Sequence, residues 1–378
     1  MRDQNARRYT HPTEVPHDEV GPLNDHPPLK VVHAVRSDRF AGVERYVADV
    51  SAALSQRGHS ATVVGGDPSR MADALVGSDV AYRPATRTPD VTRELVRVAR
   101  DADVVHVHMT AAEFGAVLAS PVVRAPIVAT RHFAAGRGSS IPSKLVGHVI
   151  RLRLRIQISI SKFVAAEVGE PTVTILNGVP DAVAVDPLCR VVLVAQRLES
   201  EKQSRDALDA WAASGLAADG WILRIAGDGS ERKALERSVI DRGLHGVEFV
   251  GHRDDLPDVR RRAGVLLATT PREAFGLGVA EAMAAGLPVI AAGSGGHLET
   301  VGVARPDLLY RPGDVVEAAR LLRSLADDLE ARRQAGRDLR DFQRRELSLD
   351  RHVEALLECY RSVLPSRPNG RGIGANLQ

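Results

Sequence analysis

GVLLATTPREAFGLGVAEAMAAGLPVIAAGSGG, residues 264–296, reads as a strand, a helix and a second strand. GVLLATT (264–270) is apolar on both faces and stops at Pro271. FGLGVAEAMAAG then opens a helix near Leu277 and closes it at Gly286, with Pro288 just beyond. Glycine ends a helix by taking a left-handed conformation, and proline cannot continue one. PVIAAGS (288–294) returns as another apolar strand. Strands apolar on both faces must be covered on both, and a helix between two of them makes them parallel. The stretch predicts a doubly wound α/β sheet.

Two carboxylates punctuate it. Glu273 falls in the loop at the first strand's carboxyl end, and Glu281 lies eight residues later on the helix. Between them, free N–H groups at the helix start form an anion site, and Gly276 and Gly278 let a ligand approach the backbone. Were the whole interval helical, the carboxylates would stand about 12 Å apart along the axis. That is roughly the span from the sugar of a nucleotide sugar to its ribose. One acid would accept from sugar hydroxyls and the other from ribose hydroxyls, with phosphates between. A plainer role also fits: Glu273 at the positive end of a helix dipole and Glu281 as a solvated helix residue. Spacing alone does not choose.

The same rhythm runs through the chain. Strand candidates in the first half are 29–35, 60–66, 79–84, 103–108, 126–132, 156–161 and 173–178; the second half repeats them at 190–196, 221–227, 247–251, 264–270, 288–294 and 307–310. Helical spacing fills the gaps, as in VERYVADVSAALSQRG. The pattern restarts near 190, after the aperiodic NGVPDAVAVDPLC. The expected organisation is a disordered arm (1–28), a Rossmann-like domain (29–185) and a second Rossmann-like domain (186–350). A helix (351–364) packs back on the first domain, and a disordered tail (365–378) follows. Open parallel sheets bind ligands at the carboxyl ends of their strands, so two that face each other enclose a cleft.

Several function classes lose support. AVRSDRFAGVE and AQRLESEKQ follow the first strands of the two halves, and neither is the G-x-G-x-x-G of a dinucleotide oxidoreductase. No phosphate loop of the G-x-x-x-x-G-K-[ST] type is present. A net charge of +2 over 378 residues gives no pull toward nucleic acid. No apolar run has membrane-spanning length, and the N-terminus lacks a signal-peptide core. Cys189 and Cys359 lack metal-ligand spacing and suit a reducing compartment, so a cytoplasmic location is expected.

The run PREAFGLGVAEAMAAGLPVIAAGSGGHLETV resembles the E-x7-E signature of glycosyltransferase family 4, the retaining, nucleotide-sugar-dependent transferases with the GT-B fold. The resemblance extends from Leu29 to about Leu364. FAGVERYV is similar to the family's first glycine loop, DVVHVH and ATRH to its next strand ends, and ILNGV to its linker entry. QRLESEKQ resembles G-R-L-x-x-x-K-G, and LRIAGDGSERKALE and VEFVGHRDDL follow in the family's order.

The resemblance implies that residues 29–185 bind the acceptor and 186–350 the nucleotide sugar, and it implies roles for single residues. Arg197 and Lys202 hold the diphosphate, a fork of donors and a compact charge that neutralise the leaving group. Glu273 binds the donor sugar with the amides of Phe275, Gly276 and Leu277, and Glu281 binds the ribose. Gly227, with Gly251 and His252 nearby, lines the base pocket. Gly42 brings its backbone to the phosphates, and His132 stands near the reacting sugar. His106 and His108 share one strand face, as metal ligands do; with no carboxylate supplied, His108 is read instead as a cleft residue. Asp101-Ala-Asp103 has D-x-D spelling but precedes its strand, so no divalent metal is expected, and no cofactor beyond the nucleotide-sugar co-substrate.

Departures from the family pattern are Ala41, Gln196 and Gln203 at positions usually Gly, Thr270-Pro271-Arg272 for Pro-Ser, and His297 after the glycines. The implied reaction moves a hexosyl-type sugar to a hydroxyl of a sugar, lipid-linked saccharide or small molecule. Alternatives are a non-catalytic nucleotide-sugar-binding or assembly subunit of the same fold, and a GT-B-like epimerase. SKLVGHVIRLRLRIQ (143–157) mixes apolar and basic residues, which leaves open peripheral contact with the inner membrane face.

Overall fold

The computed structural model describes residues 26–37, 40–134 and 141–365; the arm through residue 25 and the tail from 366 lie outside the described residues. Two parallel sheets form. The first comprises β1 (Lys30–Val35), β2 (Ser60–Gly65), β3 (Ala81–Arg83), β4 (Val104–His108), β5 (Ile127–Arg131), β6 (Leu154–Ser159) and β7 (Val173–Thr174). The second comprises β8 (Val191–Ala195), β9 (Ile222–Ala226), β10 (Val247–Gly251), β11 (Val265–Ala268), β12 (Val289–Ala292) and β13 (Leu309–Tyr310). Each strand falls within an expected segment except β6, which begins at Leu154, two residues before the expected 156–161. The segment 173–178 supplies only two strand residues: the Ile175 amide still donates to the Ser159 carbonyl at 3.0 Å, and the chain then leaves the sheet.

Strand order explains where a ligand fits. The sheets run β3-β2-β1-β4-β5-β6-β7 and β10-β9-β8-β11-β12-β13. Each begins in its middle and winds outward both ways, so the order reverses between β1 and β4 and between β8 and β11. Loops leaving those pairs diverge and open a crevice at the carboxyl edge. β11 and β12, fully buried as VLLA and VIAA, need helices on both faces. The helix between them, Leu277–Ala284, buries Val279, Ala280, Ala282, Met283 and Ala284.

The chain crosses to the second lobe after Thr174 and returns near Ser348. The two crossings pair: the Val179 amide donates to the Leu347 carbonyl and the Leu349 amide to the Val179 carbonyl, each at 3.0 Å. The final helix, Leu349–Val363, packs Val353, Leu356, Leu357 and Tyr360 among Val31, Val35, Val47 and Leu54 of the first lobe. At about 1.5–3 kcal/mol per large apolar side chain buried, this helix is part of that lobe's core.

Candidate active site

The loops after β8 and β11 flank the second reversal point. In the first of them, a 3₁₀ turn at Ser200–Lys202 brings Lys202 Nζ to 2.7 Å from Glu273 Oε2, with both side chains about one-fifth exposed. Gln196 anchors this turn. Its Nε2 lies 3.0 Å from the Lys202 carbonyl, 2.9 Å from Ser204 Oγ and 3.0 Å from Thr269 Oγ1, while the Thr269 hydroxyl donates to the same carbonyl at 2.8 Å. Sequence reasoning noticed Gln196 only as a departure from glycine; its amide ties the lysine loop to the end of β11. Gln203 adopts a left-handed conformation (φ +47°), which accounts for glycine in the pattern it departs from.

Burial pushes the Glu273 carboxyl up, but the Lys202 ammonium and its hydrogen bond outweigh it. With His297 and the Ala274 amide they hold the acid below the ordinary carboxylate value. His297, also singled out only as a departure, edges the same corner. It is 1% exposed, and its Nδ1 donates to the Ala292 carbonyl at 2.9 Å. Burial lowers its pKa below the ordinary value, against the pull of Glu273 and that carbonyl.

Gly276, at φ +90°, turns the chain from the Glu273 loop into the helix. The interval between the acids is therefore half loop, not the continuous helix behind the 12 Å estimate. The amides of Leu277, Gly278 and Val279 make no hydrogen bond among the described residues; Ala280 is the first to bond back, to the Gly276 carbonyl at 2.9 Å. Across the cleft stands Gly42, where an added Cβ would lie 3.2 Å from Leu277 Cδ1. Gly42 and Leu277 are the first residues of their helices, so two positive helix ends converge. The Phe275 side chain is core, 1% exposed, and leaves only its backbone for a ligand.

Other expected site residues are placed differently. Arg197 is exposed and pairs with Glu201 at 2.8 Å, outside the Lys202–Glu273 contact. Glu281 bonds the guanidinium of Arg260, a buried residue on the Leu256–Arg261 helix that local spacing gave no reason to suspect. Asp49 of the first lobe feels this pair: burial, opposed by Arg45 and aided by the Glu281 charge, raises its pKa to about 6. Gly227 ends β9, and its amide donates to the Gly251 carbonyl at 2.8 Å. A Cβ on Gly227 would stand 1.9 Å from the Gln196 carbonyl oxygen, so close backbone packing already requires glycine there. His252 is exposed beside Asp254.

In the first lobe, His132 follows β5 and is 6% exposed. His108 does not reach the cleft as expected. It is fully buried, with Nε2 3.0 Å from His33 Nδ1 and Nδ1 3.0 Å from His132 Nε2, because Tyr46 and the returning helix cover that strand face. His33, His106 and His108 offer nitrogens within 4.8 Å of one another. The His106 nitrogens are engaged by Tyr360 Oη (2.6 Å) and Thr130 Oγ1 (2.7 Å), so a cation there would displace existing bonds. Asp103 accepts the Lys30 amide at 2.7 Å at the start of β4, the sheet edge opposite the cleft. The basic helix Ile141–Arg153 exposes Val149 and Leu152. Among the described residues no helix is long and apolar enough to cross a membrane.

Comparison with known proteins fits this geometry. The family model described as Glycosyltransferase Family 4 matches residues 40–182, and that of Glycosyl transferases group 1 matches residues 186–341. The 2-deoxystreptamine glucosyltransferase of Streptomyces kanamyceticus is 31% identical over 297 residues, 67% of this chain and 75% of that protein. The 2-deoxystreptamine N-acetyl-D-glucosaminyltransferase of Streptomyces fradiae is 32% identical over 47% of this chain and 43% of its own length. Among solved structures, Anabaena HepE in complex with UDP and glucose superposes with a TM-score of 0.76 at 20% identity, covering 89% of this chain and all of that one. Two doubly wound lobes, each matched by its own model, establish that the chain belongs to glycosyltransferase family 4 and is a glycosyltransferase of GT-B fold.

Proposed function

We propose that the protein transfers a hexosyl unit from a nucleoside diphosphate sugar to an acceptor hydroxyl, with retention of configuration and without a divalent metal. Chief support is the Lys202–Glu273 contact beside two converging helix N-termini. The distal phosphate takes Lys202 Nζ and the first-turn amides of the Leu277 helix, with the Gly42 backbone opposite. Glu273, kept ionised, accepts from the sugar hydroxyls in place of the lysine. Glu281 accepts from the ribose, and Arg260 holds it in place. Arg197 can leave Glu201 at little cost, since exposed ion pairs are worth about 0–1 kcal/mol.

The bond from the anomeric carbon to phosphate oxygen breaks, and one to the acceptor oxygen forms on the same face. The acceptor's proton passes to the departing diphosphate. Lys202 and the two helix ends stabilise the charge that grows there. Metal independence draws on Asp101 and Asp103 lying at the far edge of the sheet.

HepE was solved with UDP and glucose, and two relatives are named for transfer of glucose or N-acetylglucosamine to 2-deoxystreptamine. Uridine donors with small polyhydroxylated amines are therefore the first pairs to try. With UDP-glucose or UDP-N-acetylglucosamine, 2-deoxystreptamine and EDTA, UDP release and a new α-glycosidic proton signal are expected. A β-linked product would refute retention. EDTA loss restored by manganese would refute metal independence. Failure to consume any uridine, guanosine or adenosine diphosphate sugar, across a panel of acceptors, would refute the transfer itself.

A further inference from the structure

Five histidines, His33, His106, His108, His132 and His352, gather beneath the cleft, and the family resemblance implies a place near the sugar only for His132. β1, β4 and β5 are neighbours in register, with His33 opposite His106 and His108 opposite Thr130. Alternation along a strand sends His33, His106, His108, Thr130 and His132 to one face, the face covered by the Gly42–Gln56 and Leu349–Val363 helices. Tyr46 from the first of these helices lies edge-on to His108, His132 and His352.

Two hydrogen-bond chains run through the group. One has its direction fixed by a carbonyl. Leu176 O can only accept, so His352 Nδ1 donates to it at 2.7 Å, and His352 Nε2 accepts from the Tyr46 hydroxyl at 2.8 Å. Nearby, His106 Nε2 lies 2.7 Å from Thr130 Oγ1 and His106 Nδ1 lies 2.6 Å from Tyr360 Oη.

The other chain links His33 Nδ1 to His108 Nε2 and His108 Nδ1 to His132 Nε2, both at 3.0 Å. A neutral imidazole carries one N–H, so all three rings bear it on Nδ1 or all on Nε2. Burial above all keeps them neutral: it lowers His33 and His132 to about 3 and His108 well below its ordinary value. At the inner end His33 Nε2 is buried without a partner. The Nε2–H arrangement would strand a buried donor there, whereas the Nδ1–H arrangement leaves only a bare lone pair. Orphaned buried N–H groups are the rarer and costlier case.

We propose that His33 and His108 are positioning residues that hold His132 in its Nδ1–H form, so that it offers the cleft a hydrogen-bond donor and not a base. The role toward substrate rests on the transfer proposed above and on His132 standing near the reacting sugar, as the family resemblance implies. A donor suits a reaction in which the departing diphosphate, and no histidine, takes the acceptor's proton.

The test is long-range ¹H–¹⁵N correlation on protein labelled with ¹⁵N-histidine, with its thirteen histidines assigned by single His→Gln variants. His33, His108 and His132 should show Nδ1–H, and so should His352, whose form the Leu176 carbonyl fixes independently. In His108→Phe the ring that orients His132 is gone, and the His132 signal should move to the Nε2–H form common in water. Should that variant not fold, His33→Phe, one ring further in, gives the same reading. A wild-type His132 protonated on Nε2, or an Nδ1–H signal unchanged in the folded variant, overturns the proposal. The spectra need no nucleotide sugar, so a failure of the proposed transfer is seen separately.

Discussion

The two lobes turn the same structural feature, the carboxyl ends of central parallel strands, toward one cleft with opposite chemistry. The second lobe presents charge in two ion pairs, Lys202 with Glu273 and the buried Arg260 with Glu281. The first places His132 at a strand end, backed by buried neutral imidazoles under Tyr46. A leaving diphosphate gains negative charge as its sugar gains positive charge. Fixed cations therefore help on the phosphate side and would oppose reaction beside the sugar, where neutral donors do no such harm. The contrast assigns electrostatics to one lobe and orientation to the other.

The largest effect expected follows from that division. Lys202→Ala or Glu273→Gln should lower turnover by about 10³-fold, about 4 kcal/mol of barrier, with circular dichroism unchanged. His132→Gln should cost only about tenfold. If the histidine variant proved the more damaging, the division of labour would be reversed.

Acid should separate the lobes next. Folding lowers His33 and His132 from an ordinary 6.5 to about 3 and His352 to about 4, burial being the main cause. The unfolded chain thus takes up protons first. The stability these groups contribute is complete above pH 6.5 and is lost as pH falls toward their folded values. Each costs about 1.4 kcal/mol per pH unit in that window. The second lobe has one such buried group, His297, and Glu273 adds a loss only below its ordinary 4.5. Urea unfolding between pH 7 and 5 should weaken the first lobe much more, as read by histidine and tyrosine resonances. Equal weakening of both lobes would contradict the burial described.

Much of this was legible in the sequence, for physical reasons. Apolar runs between helices name parallel strands whatever their partners are, and Pro271, Gly276 and Gly286 mark turns by local geometry. Lys202 and Glu273 could be singled out because pattern and position agreed, and the structure brings them to 2.7 Å. What could not be read depends on distant partners. His352 and Tyr360 meet Tyr46 and His106 across 306 and 254 residues. Arg260 reaches Glu281 from another helix. Gln196 looked like a lost glycine because its work is done by side-chain contacts that no spacing reveals. His108 shows the reverse error: strand alternation gave its face, but not the helix that covers it.

Two smaller effects sharpen the picture of the lysine loop. Gln196→Ala removes the amide that holds the Lys202 carbonyl, and should cost about 1 kcal/mol of stability and severalfold in turnover. An unchanged enzyme would mean Thr269 suffices. Gln203→Gly relieves a left-handed glutamine and should raise stability by about 0.5 kcal/mol, once the added freedom of unfolded glycine is offset. A loss of stability there would show that the glutamine side chain matters more than the strain.

The most direct measurement is a crystal structure of the protein with UDP bound. Lys202 Nζ should have left Glu273 for the distal phosphate, with the amides of Leu277 and Gly278 on the same oxygens and Gly42 facing them. UDP seated elsewhere, or bound with the Lys202–Glu273 pair intact and those amides still empty, would contradict the account.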